Sequence, residues 1–286
     1  MPPAGAPAAC VVGWPIGHSR SPLIHNYWLK TYRIAGEYRR EAVPPEQFHD
    51  FLRSLAARGY AGANVTVPHK QAALEYSQPD DRARAVGAAN TLWLDDGRLR
   101  STNSDVEGFL NNLDACAPSW ERGLRKAVVL GAGGAARAVI YGLLERGVGT
   151  VLVANRTERR AQELGGRFGE RVSVVSWQER DTALADAALF VNTTTLGMAG
   201  QPALTIDIGR LPEFAIVVEL VYAPLVTPLL EGARARGLRT ADGLGMLMHQ
   251  AVRGFRQWFG TKPEVTPELR ALLEADLKAA RHKPAE

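Results

Sequence analysis

The ammonium of Lys70 and the carboxylate of Asp105 are the pair in this sequence best suited to moving a proton. Lys70 ends the run Asn64-Val65-Thr66-Val67-Pro68-His69-Lys70, which reads as a strand turning into a helix that begins at Pro68. A lysine in that first turn opposes the positive end of the helix dipole, a placement that points to acid–base work; the alternative is an ordinary exposed helix lysine. Asp105, after Asn103 and Ser104, either orients Lys70 or only caps the following helix. Alternation puts Asn64 and Thr66 on one side of their strand. In Gly17-His18-Ser19-Arg20-Ser21-Pro22, the hydroxyls of Ser19 and Ser21 sit at a helix start and, with free backbone N–H groups, suit a carboxylate. Ser21 as a plain N-cap is the competing assignment.

A second constellation is made of glycine. Gly131-Ala132-Gly133-Gly134-Ala135-Ala136 follows the apolar run Ala127-Val128-Val129-Leu130 and opens a predicted helix, the strand–turn–helix context of a dinucleotide site. Gly131 permits the tight turn, Gly133 lets the backbone approach a pyrophosphate, and Ala136 lets helix and strand pack closely. The next strand ends at Asn155-Arg156-Thr157, with Arg159 and Arg160 beyond, where an NAD site carries an acid for the ribose 2′-hydroxyl. Guanidinium in place of carboxylate predicts NADP, with Arg156 and Arg160 on the 2′-phosphate and Arg159 a bystander. The competing reading makes these arginines a solvated helix start.

These groups need elements to hold them. Predicted strands at 9–14, 37–43 and 62–67 alternate with helices at 22–33 and 46–57, a βαβ rhythm. Asp95-Asp96-Gly97 joins strand-like runs at 90–94 and 98–102 into a hairpin. After a helix at 106–115 and a turn-like stretch at 118–125, strands at 126–130, 151–154, 172–176, 188–191 and 216–220 form a second series, and a helix at 246–259 stops at Gly260. The expected architecture is α/β with two domains: a substrate domain with a mainly parallel sheet, 1–107 completed by 244–286, and a Rossmann-type NADP domain, 108–243. The first nine residues and the tail after 278 are expected to fray.

Composition narrows the class. The 286 residues, 46% hydrophobic and 22% charged, can bury a large core without disulfides. The net charge of +4 is spread along the chain, which argues against nucleic acid as a partner and suits an anionic small substrate. Two cysteines without CxxC spacing predict neither zinc nor disulfide, and no apolar stretch or basic leader predicts a membrane or export, so a cytoplasmic protein is expected.

Taken in order, Gly17 to Pro22, Asn64 to Lys70, Gly87-Ala88-Ala89-Asn90-Thr91, Asn103 to Gly108, Gly131 to Arg137, Asn155-Arg156-Thr157, Tyr222 with Thr227-Pro228-Leu229, and Asp242 through Gln250 resemble the shikimate dehydrogenase family over nearly the whole chain. The resemblance implies reversible NADPH-dependent reduction of 3-dehydroshikimate to shikimate, a step toward aromatic amino acids. It implies Lys70 and Asp105 as the catalytic pair, Ser19 and Ser21 on the substrate carboxylate, and Asn64, Thr66, Asn90, Tyr222 and Gln250 around the ring. On the coenzyme side it implies Gly131 to Ala135, with Ala132 and Gly134 among them, Asn155 to Thr157, Arg160, Asn192, Thr193, Thr194, Gly243 and Met246. A homodimer is a further expectation. Three positions depart from the family's usual residues: Ser104 for Thr, Glu219-Leu220 for Asp-Met or Asp-Val before Tyr222, and Trp14 for a small polar residue before Pro15. The rival readings are a quinate or quinate/shikimate dehydrogenase and a non-catalytic regulator that binds NADP or the ring acid.

Overall fold

The computed structural model describes residues 6–281. The chain divides into two compact units: residues up to Asp105 with Leu247–Asp276, and Val106–Met246 with the residues from Leu277.

The first unit is built on β1 (Ala8–Gly13), α1 (Ser21–Thr31), β2 (Glu37–Ala42), α2 (Phe48–Arg53), β3 (Tyr60–Val65), α3 (Lys70–Glu75), β4 (Gln78–Pro79), α4 (Asp81–Val86), β5 (Thr91–Asp95) and β6 (Arg98–Thr102). Its six-stranded sheet runs β2-β1-β3-β5-β6-β4. β1 pairs in parallel with β2 and β3, whereas β5 is antiparallel to both β3 and β6. β1 is buried along its whole length, as a strand covered on both faces must be. Because β1 leads to one side and β3 to the other, their C-terminal ends flank the crevice in which open α/β sheets hold ligands. The segments carrying Ser19–Ser21 and Thr66–Lys70 leave the sheet there.

The second unit carries α5 (Ser104–Cys116), which starts in the first, then β7 (Lys126–Leu130), α6 (Gly134–Glu145), β8 (Thr150–Ala154), α7 (Glu158–Phe168), β9 (Val172–Val175), β10 (Leu189–Asn192), β11 (Ile216–Glu219), α8 (Pro228–Ala235) and β12 (Arg239–Ala241). All five pairings are parallel, in the order β9-β8-β7-β10-β11-β12, the doubly wound order of a dinucleotide-binding Rossmann sheet. Its switch point falls between β7 and β10, so the Gly131 turn and the Asn192–Thr194 turn leave neighbouring strand ends.

α9 (Gly243–Phe259) returns the chain to the first unit, and α10 (Pro267–Arg281) follows. α10 corrects the expected fraying after 278: a helix runs through Arg281. Thr266 caps it, Oγ1 accepting from the Leu269 N–H at 3.3 Å, and Leu269, Leu273 and Leu277 bury one stripe at helical spacing. At the other end, β1 begins at Ala8, inside the stretch expected to fray; residues 1–5 and 282–286 lie outside the described residues. Among the described helices none is long and apolar enough to cross a membrane, and no group of side chains among the described residues could hold a metal ion.

Candidate active site

Lys70 is the first residue of α3, and its neighbour fixes its direction. The His69 ring is buried, stacked on Phe48 at 4.2 Å, and its Nε2–H donates to the Val43 carbonyl at 2.7 Å. Burial holds the His69 pKa below its ordinary value, so the ring is a neutral anchor. With His69 pinned inward, Lys70 Nζ reaches Asp105 Oδ2 at 2.5 Å. Asp105 is not the cap of α5. Asn103 is: its Oδ1 accepts from the Asp105 N–H at 3.1 Å, which leaves the Asp105 carboxylate for Lys70 and for Asn90 Nδ2 at 2.8 Å. Asn90 Oδ1 accepts in turn from the Ser104 N–H at 2.7 Å and from Ser104 Oγ at 3.2 Å, so the departure from Thr keeps the hydroxyl's contact.

The network continues to Asn64 and Tyr38. Asn64 Nδ2 donates to the Asn90 carbonyl at 3.3 Å and to Thr91 Oγ1 at 3.2 Å, while Asn64 Oδ1 accepts from Tyr38 Oη at 2.7 Å. The Asn64 amide is thus engaged by the protein at both ends, which makes it a brace. Tyr38 is buried, and its ring lies on His25 at 4.0 Å. One chain of hydrogen bonds therefore joins Tyr38 to Lys70 through Asn64, Asn90 and Asp105. Sequence reasoning missed Tyr38, His25 and His69, because an aromatic in a strand and a histidine in an apolar helix read as core.

Ser21 opens α1 after Arg20, and the cap position has no side-chain bond, so the plain N-cap assignment does not hold. Ser19 is buried beside it, its backbone carbonyl held by Arg40 at 2.7 Å and 3.1 Å. Thr66 lies half-buried just past β3, and Gln250 is buried on α9 with Nε2 turned to the Leu247 carbonyl at 3.1 Å. Tyr222 is half-buried in the second unit, so the first unit alone does not bring it to the other ring residues. Trp14 is 48% exposed beside Val67, to whose carbonyl its N–H donates at 3.1 Å.

In the second unit, Gly131 adopts φ +106°, and a Cβ there would lie 2.5 Å from Thr193 Oγ1, so the turn needs glycine on both counts. Gly133 and Gly134 open onto free space, and no side chain caps the start of α6. Those uncapped N–H groups fit a pyrophosphate. Past the end of β8, a cavity of about 480 Å³ is lined by Asn155, Arg156, Thr157, Arg160, Arg180 and Thr194 among others, with no carboxylate in its wall. That donor set fits a nucleotide bearing a 2′-phosphate. Arg159 instead pairs with Glu163 at 2.7 Å along its own helix. Sequence reasoning missed Arg180, which enters from the segment after β9 and spreads its guanidinium 4.8 Å over Trp177.

Asn192 is fully buried and spent on the protein: Nδ2 donates to both oxygens of Glu219 at 2.9 Å and 3.1 Å, and Oδ1 accepts from Thr194 Oγ1 at 2.7 Å. Thr193 Oγ1 donates to the Leu130 carbonyl at 2.6 Å and so braces the glycine turn. A Cβ on Gly243 would lie 2.1 Å from the Leu220 carbonyl oxygen, which makes that glycine a packing requirement; Met246 lies three residues on in α9.

A catalytic-type Lys–Asp pair in one α/β unit and a nucleotide-fitting Rossmann sheet in the other define a dehydrogenase of two-unit construction. Family models match in three places: the shikimate dehydrogenase substrate binding domain at residues 11–92, shikimate / quinate 5-dehydrogenase at 120–199, and the shikimate 5'-dehydrogenase C-terminal domain at 243–273. The shikimate dehydrogenase (NADP(+)) of Rhodopseudomonas palustris strain BisB18 is 63% identical, covering 96% of this chain and 98% of that protein. The one of Nitrobacter winogradskyi is 61% identical, covering 94% of this chain and 96% of that protein. The crystal structure of shikimate 5-dehydrogenase from Thermus thermophilus in complex with NADP(H) and shikimate superposes with a TM-score of 0.82 at 35% identity, over 96% of this chain and 99% of that one. Quinate dehydrogenase from Corynebacterium glutamicum in complex with NAD gives a TM-score of 0.87 at 32% identity, over 94% and 99%. The chain belongs to the shikimate dehydrogenase family.

Proposed function

We propose that this protein is an NADP-dependent shikimate dehydrogenase that interconverts 3-dehydroshikimate and shikimate, with the substrate on the first unit and NADP on the second. The observation that carries the reading is the Lys70–Asp105 pair, 2.5 Å apart and braced by Asn90 within a hydrogen-bonded network that runs back through Asn64 to Tyr38. Bound NADPH supplies the hydride. As the carbonyl carbon is reduced, negative charge grows on its oxygen; Lys70 Nζ stabilises that charge and delivers the proton, and Asp105 keeps the ammonium aimed. Ser19 and Ser21 hold the substrate carboxylate, while Thr66, Asn90 and Gln250 surround the ring hydroxyls and Asn64 braces the wall behind them. Tyr222 contributes from the second unit. Arg156 and Arg160 grip the 2′-phosphate. Neither Cys10 nor Cys116 is in a disulfide, which together with a soluble coenzyme is consistent with work in a reducing cytoplasm.

Quinate turnover is the second reading, because a quinate dehydrogenase shares the fold. The absence of an acid at Asn155 and the guanidinium groups around the cavity support NADP and, with it, shikimate. Initial rates with shikimate and with quinate, each paired with NADP and with NAD, separate the two.

A further inference from the structure

Glu219 ends β11 fully buried, and no cation among the described residues pairs with it. Its carboxylate accepts from Asn192 Nδ2 at 2.9 Å and 3.1 Å, from the Val221 N–H at 3.0 Å, and from Thr227 Oγ1 at 3.3 Å. Three segments meet there: the end of β10, the loop that leads to Tyr222, and the cap of α8, where Thr227 Oγ1 accepts from the Leu230 N–H at 3.4 Å. Through Asn192 the line extends to Thr194, whose N–H and hydroxyl both bond Asn192 Oδ1 and which lines the cavity shared with Arg156. The groups that bond the carboxylate from β10, from the loop and from α8 are all neutral; from β12, the strand paired with β11, the nearest charged group in the register is Asp242, whose Oδ1 accepts from the Gly245 N–H at 3.0 Å.

We propose that Glu219 is a positioning residue for the coenzyme: by accepting from Asn192, Val221 and Thr227 together, it holds the turn bearing Thr194 in place against the ends of β11 and α8. The assignment rests on the coenzyme-side reading above. A carboxylate offers lone pairs to all these donors, whereas a neutral carboxyl or an amide turns a hydrogen toward them. Asn192 Nδ2 and the Val221 N–H share Oε1, at 2.9 Å and 3.0 Å, and keep it; at Oε2 a hydrogen would face Asn192 Nδ2, 3.1 Å away, and force the Thr227 hydroxyl to reverse and accept, which leaves its own hydrogen without that partner. Burial without a counter-charge pushes the Glu219 carboxyl up to about 7, opposed in part by these hydrogen bonds, so its ionised form is lost close to neutrality. Coenzyme affinity is then pH-linked in a way the Lys70–Asp105 pair does not explain.

The test uses the full chain and two variants, Glu219→Gln and Glu219→Asp, with direct NADP+ and NAD+ binding by calorimetry and steady-state rates from about pH 5.5 to 9. In the wild type, affinity for both coenzymes weakens as pH falls through about 7. NAD+ lacks the 2′-phosphate, so a limb common to both belongs to the protein. Glu219→Gln raises the KM for NADP+ about tenfold, the cost of one buried donor left unmatched. It loses the acid limb and leaves the KM for shikimate nearly unchanged, while Glu219→Asp, which keeps the charge, retains the limb. Equal coenzyme affinity and equal pH dependence in wild type and Glu219→Gln would overturn the assignment, as would a parallel rise in both KM values. If Glu219→Gln does not fold, a wild type without the limb for NAD+ overturns it alone. A protein that shows the limb yet does not oxidise shikimate contradicts the functional reading and supports the Glu219 assignment.

Discussion

Each of the two residues proposed to carry the chemistry is aimed by a neighbour with no proposed part in it. His69 anchors in the core so that Lys70 points at Asp105, and Asn103 caps α5 so that the Asp105 carboxylate stays available. Lys70→Ala is expected to lower kcat by roughly 10²–10⁴-fold with little change in the KM for shikimate, the signature of a group used in the transition state; an unchanged kcat removes it from the mechanism. Arg156→Ala is expected to raise the KM for NADP by roughly ten- to a hundredfold, the value of a charge-assisted bond, with NAD little affected. Steady-state kinetics with both coenzymes checks it. His25 gives a pH prediction. It is fully buried in a cage of Trp28, Tyr38, Phe255 and Trp258, and burial lowers its pKa from 6.5 to about 3. The folded value lies below the unfolded one, so its neutral form supports the fold above 6.5, and that support, on the order of 5 kcal/mol, is lost as pH falls from 6.5 toward 3. His25→Phe, which keeps the ring in the cage, should move the acid-unfolding midpoint to lower pH, read by circular dichroism.

At the scale of elements, the site is a set of strand ends. Most of these were legible in the sequence, because buried parallel strands are short apolar runs and Gly131 to Ala136 marks where one of them turns into a helix. α10 was not, although Thr266-Pro267-Glu268 is a helix-start signal and Leu269, Leu273 and Leu277 share a face. A polar tail following a glycine stop reads as an end unless that stripe is noticed. Leu273→Ala, at a fully buried position of this helix, is expected to destabilise the protein by about 2–5 kcal/mol in chemical denaturation. The bonding of the coenzyme-side turns was equally hidden: the family resemblance puts Asn192 and Thr193 on the coenzyme side, and the fold uses their polar atoms to lock β10 to β11 and to the glycine turn. Spacing locates such a turn; only the partners say which atoms are left over for a ligand.

At the scale of the whole molecule, the chain is two α/β units, and the candidate groups of each lie where its own sheet changes direction. The two-domain α/β division followed from the rhythm of predicted strands and the placement of motifs; the order of the strands in each sheet did not. The partition of roles between Asn64 as brace and Asn90 as the partner of Asp105 did not, because both are strand-end amides and differ only in which neighbours the folded sheet brings to them. The most direct measurement is the initial rate of coenzyme reduction by the purified protein with shikimate and with quinate, each offered with NADP and with NAD. Rapid reduction of NADP by shikimate, with the other three pairings far slower, is the predicted result; preference for quinate or for NAD, or tight binding of shikimate and NADP without turnover, would contradict it.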